Sequence, residues 1–170
     1  GEMGIGNTTA SAAICHALYG GDAEDWVGPG TGVEGDALAN KIRVVKESVI
    51  LHQAVLTDGL EILRCFGGRE MAAICGAIIA ARLSRIPVLL DGYVTCAAAA
   101  VLHAMDEHAL DHCVVAHISA EPGHRILVEK LGKVPLLDFG MRLGEGSGAA
   151  LGIGLLRSAV ACHNGMATFE

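Results

Sequence analysis

One acidic side chain stands between glycines near each end of this sequence. In Asp138-Phe-Gly-Met-Arg-Leu-Gly-Glu-Gly-Ser-Gly148, Glu145 sits among Gly144, Gly146 and Gly148 at alternate positions. In Gly1-Glu-Met-Gly-Ile-Gly-Asn-Thr-Thr9, Glu2 precedes Gly4 and Gly6. Paired carboxylates suit proton transfer or the binding of a cationic ring. A carboxylate at a helix start is equally favoured by the helix dipole as a capping group. Glycine-rich entries to helices also leave N–H donors exposed, which can hold an anion or simply make a tight turn. Gly4-Ile-Gly6 lacks the third glycine of a dinucleotide fingerprint, and no lysine stands where a Walker loop needs one.

Other residues with chemical potential are spread along the chain. Lys41 follows the glycine-rich stretch Trp26–Gly35, where it is either a solvated lysine or a phosphate contact. Asp91-Gly92 and Ser119 each close an apolar run. The cluster His103, Asp106, Glu107, His108, Asp111, His112, with His117 beyond, has residue types that bind metals. His108 and His112 are four apart, but the expected helix ends between them, so a solvated helix end is the better reading. His16 and His163 read as structural histidines. Gly146-Ser-Gly148 lacks the flanks of a nucleophile elbow, which argues against ordinary serine-hydrolase chemistry.

The elements that position these residues follow from apolar periodicity and turn residues. Residues 10–18 form a helix that Asn7 or Thr8 caps and Gly20-Gly21 ends. Trp26–Gly35 is a loop, and Asp36 caps a helix with Leu38, Ile42, Val45, Val49 and Leu56 on its buried side. Asp58 caps a short helix through Cys65. Arg69–Ser84, the most apolar helix, is expected to lie sandwiched within the domain. Strands at 86–91, 112–118 and 134–139 then alternate with helices at 94–108, 122–131 and 149–163, with Pro122 near the first helical position, and a last element is expected to begin at 166–169. This alternation predicts a single α/β domain over 1–170, a Rossmann-like parallel sheet covered by helices. Ligands of such sheets bind at the carboxyl ends of the strands. Asp91-Gly92, Ser119 and the 142–148 loop all fall there. Gly1–Thr8 would join them if a strand preceded residue 1, and that strand, with further helices, is expected upstream.

Composition narrows the function classes. Hydrophobic residues make up 52% and aromatics 4%, so the core has to be built from Ala, Val, Leu and Ile. The apolar run 71–81 is too short for a bilayer, and no tripartite leader opens the sequence, which points to the cytoplasm. A formal net charge of −7 with scattered basic residues argues against nucleic-acid binding. Six cysteines without a Cys-x-x-Cys pair read as buried thiols of a reducing compartment.

Taken together, Gly1-Glu-Met-Gly-Ile-Gly-Asn-Thr-Thr9, Asp91-Gly92 and Arg142-Leu-Gly-Glu-Gly-Ser-Gly-Ala149 closely resemble the nicotinate-nucleotide–dimethylbenzimidazole phosphoribosyltransferase family, along essentially the whole chain. The resemblance implies transfer of phosphoribose from nicotinate mononucleotide to a benzimidazole nitrogen, with inversion at the anomeric carbon, in preparing the lower ligand of cobalamin. It implies Glu145 as general base and Glu2 as a secondary acidic residue of the same cleft. Gly4, Gly6, Asn7, Thr8, Lys41, Asp91, Gly92 and Ser119 would approach the nucleotide, Lys41 at a phosphate and Asp91 at a ribose hydroxyl. Leu143, beside Gly144, would pack on the aromatic base. No cofactor or metal is implied. A homodimer is implied, and so is a family amino-terminal part, absent here, that completes the benzimidazole pocket. A nucleotide-binding fragment without catalysis is the alternative.

Overall fold

A computed structural model describes residues 4–167. Helices α1 (Asn7–Tyr19), α2 (Ala23–Trp26), α3 (Gly35–His52), α4 (Gly59–Phe66) and α5 (Arg69–Leu83) come first, with a 3-10 turn at Gln53–Val55. Strand β1 (Val88–Leu90), helix α6 (Tyr93–Met105), strands β2 (Cys113–Val115) and β3 (His117–Ser119), helix α7 (Pro122–Lys130), strand β4 (Leu137–Met141) and helix α8 (Ser147–Gly165) follow. β1 pairs with β2, and β3 with β4, both parallel. The expected parallel α/β architecture is present, with short strand pairs covered by helices.

The single strand expected at 112–118 is divided at Ala116, where pairing passes from one neighbour to the other. Ala116 N–H donates to Leu90 O, while Ala116 O accepts from Leu137 N–H. β2 therefore faces β1, and β3 faces β4, which begins at Leu137 and not at 134.

The central helix is α6, not α5, the helix expected to lie sandwiched within the domain. Ala97, Ala98, Ala99, Ala100 and Val101 have no exposed surface. α1, α4, α5 and α7 all pack on α6, because alanine methyls let neighbouring backbones come close. α5 buries only Met71, Cys75 and Ile78, one helical face, and leaves Ile79 and Leu83 exposed. Leu110, Leu127, Ile14 and Met71 fill the remaining core, each worth about 1.5–3 kcal/mol on full burial. α8 lies apart from this helix group, against β1, β3 and β4.

Several helix ends depart from expectation for local reasons. α1 is entered through Gly6 in the left-handed region (φ 84°), so the cap position falls on Gly6, and Asn7 and Thr8 are the first two helical residues. α3 starts at Gly35, which puts Asp36 in its first turn instead of at the cap. Trp26 ends the short helix α2, and its ring nitrogen bonds Gly20 O at 2.8 Å. α6 stops at Met105 because Asp106 is extended and its carboxylate accepts from His108 N–H. Asp58 does cap α4, accepting from Leu60 and Glu61 N–H at 2.9 and 3.0 Å, and Pro122 does open α7. The element expected at 166–169 lies partly outside the described residues. Among those described, no helix is long and apolar enough to cross a membrane.

Candidate active site at the strand tips

The carboxyl ends of β1, β3 and β4 open onto one cavity of about 280 Å³, closed on another side by the segment Gly4–Thr9 and the loop Pro29–Val33. That volume is close to the lower end of the range for small-molecule sites, about 300–1,000 Å³. Gly4, Gly6, Asn7, Thr8, Lys41, Asp91, Gly92, Ser119, Leu143, Gly144 and Glu145 all line it, so one cavity gathers the residues expected from the sequence. Glu2 lies outside the described residues.

The loop after β4 carries Glu145. Gly144, Glu145 and Gly146 are successive left-handed residues, with φ of 75°, 58° and 80°. Glycine adopts this region freely, while a side chain there costs about 1–2 kcal/mol. The glycines on either side let the chain turn tightly enough to hold Glu145 at the cavity edge. Leu143 stands at the same edge, 70% exposed, an apolar surface facing the opening.

Asp91, expected at a ribose hydroxyl, follows β1 and lines the cavity. It is 3% exposed, and both its oxygens are engaged by backbone. Oδ2 accepts from Gly146 N–H at 3.0 Å, and Oδ1 accepts from Ala149 N–H at 2.9 Å. His117 Nδ1 lies 3.7 Å from Oδ1. Burial lowers the His117 pKa, and the Asp91 charge opposes that shift. Gly92 stands at the cap position before α6, where its N–H donates to Thr95 Oγ1 and its carbonyl accepts from the same hydroxyl.

Ser119 ends β3 beside the fully buried His124. Ser119 N–H donates to His124 Nδ1 at 2.9 Å, and Ser119 Oγ lies 3.0 Å from the same nitrogen. Burial, reinforced by His117, pushes the His124 pKa down from 6.5 to about 3. A neutral ring that accepts at Nδ1 shares its lone pair between the Ser119 N–H and hydroxyl, which leaves the oxygen lone pairs to the cavity.

Across the cavity, Lys41 reaches in from α3. Its Nζ donates to Thr8 Oγ1 and to Gly28 O, each at 2.8 Å. Burial lowers its pKa, opposed by the charge of Glu121. An ammonium has three donors, so one remains for an anion beside the first turn of α1.

Sequence reasoning missed Glu121. Its Oε1 accepts from Gly30 N–H at 2.9 Å, and its Oε2 is buried without a hydrogen-bond partner among the described residues. Arg142 was read only as part of a motif, yet it donates to Gly30 O at 3.3 Å and lines the cavity. The available signal for Glu121 was its place between a strand-end serine and a helix-opening proline. The histidine cluster past α6 goes elsewhere: His112 bonds Ile78 O at 3.0 Å, and His108 lies 3.5 Å from Asp111.

Comparisons with known proteins bear on this cavity. Residues 1–170 match a family model described as phosphoribosyltransferase. A nicotinate-nucleotide–dimethylbenzimidazole phosphoribosyltransferase of Methylocella silvestris is 65% identical over 169 residues, which are 99% of this chain and 50% of that protein. The protein of the same name from Brucella canis is 62% identical over 170 residues, 100% of this chain and 50% of its own. The crystal structure of CobT from Thermus thermophilus superposes with a TM-score of 0.92 at 42% identity, over 99% of this chain and 50% of that one. The chain thus spans about half the length of the curated relatives it matches. A match that runs from the first residue to the last, with the same fold, establishes that the chain belongs to the phosphoribosyltransferase family.

Proposed function

We propose that this cavity takes part in transferring the phosphoribosyl group of nicotinate mononucleotide to dimethylbenzimidazole, giving α-ribazole phosphate and nicotinate. The observation that carries the reading is the convergence of Glu145, Lys41 and the start of α1 on a single cavity. The names of the relatives supply the substrates. Lys41 and the first turn of α1 meet the phosphate, and Ser119 accepts a hydrogen bond from a ribose hydroxyl. Leu143 lies against the acceptor ring.

One acceptor nitrogen uses its lone pair to form the bond to the anomeric carbon. The bond to nicotinate breaks, and its electron pair returns to the pyridine ring, neutralising it. Configuration inverts. Attack makes the azole cationic, and Glu145 takes the proton from its other nitrogen and later passes it to solvent. Because departure neutralises the leaving ring, the step calls for neither an acid at the leaving group nor a cofactor. General-base help of this kind is worth about 10²–10⁴ in rate. Glu145→Ala in a full-length protein carrying this chain is expected to lower kcat by that factor and keep nicotinate mononucleotide binding. Unchanged kcat removes Glu145 from the base role.

The reading includes a cytoplasmic homodimer. The exposed Leu151, Ile153, Leu155 and Val160 on α8 support an apolar contact with another chain. A second reading, nucleotide binding without turnover, is favoured by the exposure of Glu145 and by the half-length match to the relatives. Calorimetry on the 170-residue chain with nicotinate mononucleotide, followed by a product assay, separates the two.

A further inference from the structure

The turn that carries Glu145 is closed by one backbone bond of its own, from Ser147 N–H to Gly144 O at 3.0 Å. Glu145 and Leu143 are exposed, and the residue at the start of α8 is Gly146, which has no side chain for capping. Yet the backbone here is held left-handed at three consecutive positions, an arrangement that persists only when its surroundings enforce it. A second tie comes from the residue that follows β1. Asp91 bonds Gly146 N–H through one oxygen and Ala149 N–H through the other, spanning the last residue of the turn and the first turn of α8.

We propose that Asp91 is a positioning residue for Glu145, its buried carboxylate clamping the turn that carries the base. This rests on the transferase reading for its catalytic consequence. The clamp itself rests on geometry. Asp91 is nearly inaccessible and aimed at a helix N-terminus, where backbone N–H groups and the dipole favour an anion. Gly148 brings α8 down directly onto His117, since a Cβ added there would overlap the ring at Nδ1 and lie 2.6 Å from Cγ. Asp91 and His117 together form the seat of the α8 entry, so the height and tilt of the Glu145 turn are set from the tip of β1 and from β3. The placement of a proton acceptor to within about 0.5 Å requires this kind of support from rigid elements.

The substitution Asp91→Asn retains size and removes one acceptor, turning an N–H₂ group toward a backbone N–H. In a full-length protein carrying this chain, kcat is expected to fall about a hundredfold, the loss typical of a misplaced reacting group. The dissociation constant for nicotinate mononucleotide should change by less than about threefold, since the clamp does not touch the anion subsite. The double substitution Asp91→Asn with Glu145→Ala should be no slower than Glu145→Ala alone, because Asp91 acts through Glu145. An unchanged kcat in Asp91→Asn, or a double variant slower by the full Asp91 factor, overturns the proposal. If Asp91→Asn does not fold, amide hydrogen exchange in the unsubstituted chain decides. Gly146 and Ala149 should exchange at least about tenfold more slowly than unstructured amides, and unprotected exchange at both overturns the clamp. If the unsubstituted protein shows no turnover, the transferase reading fails, and the exchange result still decides the clamp.

Discussion

Gly148, the second residue of α8, offers a direct test of how the helix entry is seated. A methyl group added there would overlap His117 Nδ1 and stand 2.6 Å from Cγ, where carbon contacts need about 3.5–4.0 Å. The ring has nowhere to go. It is 1% exposed, with Asp91 on one side and His124 on another at a centroid distance of 6.3 Å. Gly148→Ala therefore has to lift the start of α8 by roughly 1–2 Å, which draws Gly146 and Ala149 out of reach of Asp91. Overpacking costs about 1–3 kcal/mol, and a strained hydrogen bond to a charged group about 1.5–3 more. Helix propensity returns about 1 kcal/mol for alanine over glycine. The net loss is on the order of 1.5–5 kcal/mol. Gly154, in the same helix, has nothing within 4 Å of an added Cβ, so Gly154→Ala should gain about 1 kcal/mol from propensity alone. Urea unfolding followed by circular dichroism at neutral pH should move the two midpoints in opposite directions. Equal stabilisation by both substitutions would refute the seating of α8 on His117.

Further outcomes follow from the same geometry. Glu145→Gly should abolish most turnover while raising stability by about 0.5–1 kcal/mol, because it relieves a side chain at φ 58°; urea unfolding beside a product assay reads both. Lys41→Met should weaken nicotinate mononucleotide binding at least about tenfold by calorimetry, more at low salt than at high, because one phosphate donor and its charge are lost. The buried His124 makes stability pH-dependent: its folded pKa of about 3 lies below its ordinary 6.5. The unfolded chain binds the extra proton between those values, so this contribution is complete above pH 6.5 and declines toward pH 3, by up to about 1.4 kcal/mol per pH unit. Urea midpoints measured from pH 7 to pH 4 should fall more steeply for the unsubstituted chain than for His124→Gln.

Local chemistry was the legible part of this sequence. Asp58 capped its helix as its type and position required, and Pro122 opened the next. The glycines around Glu145 announced a special backbone, since no other residue tolerates that region so readily. Remote contacts were not legible. Nothing near Asp91 in the chain reveals that its carboxylate serves amides at the start of α8, so its motif position suggested a ligand contact. Glu121 was hidden for the same reason, as its partner Gly30 lies far away in sequence. The expectation of depth fell on α5 for its run of large apolar residues, yet that helix also carries Arg69, Glu70 and Arg82 and leaves Ile79 and Leu83 exposed. α6 is the more apolar of the two over its whole length, and its alanines are small enough to be surrounded completely. The division of one strand at Ala116 depends on which neighbours it meets, information that no single stretch carries.

The alanine helix α6 has a consequence for how this scaffold can change. Alanine has no rotamers to freeze, so its burial sets the spacing of four neighbouring helices at almost no cost in side-chain entropy. A spacer one methyl thick has no slack: glycine would leave a gap, and anything longer would have to push whole helices apart. α6 thus acts as a mechanical gauge, and because it starts at the Asp91-Gly92 tip, any change in its thickness is delivered to the cavity rim. Adaptation to a differently shaped ligand has to come from the loops around the opening, Pro29–Val33 and 142–146, while the gauge behind them stays the same width.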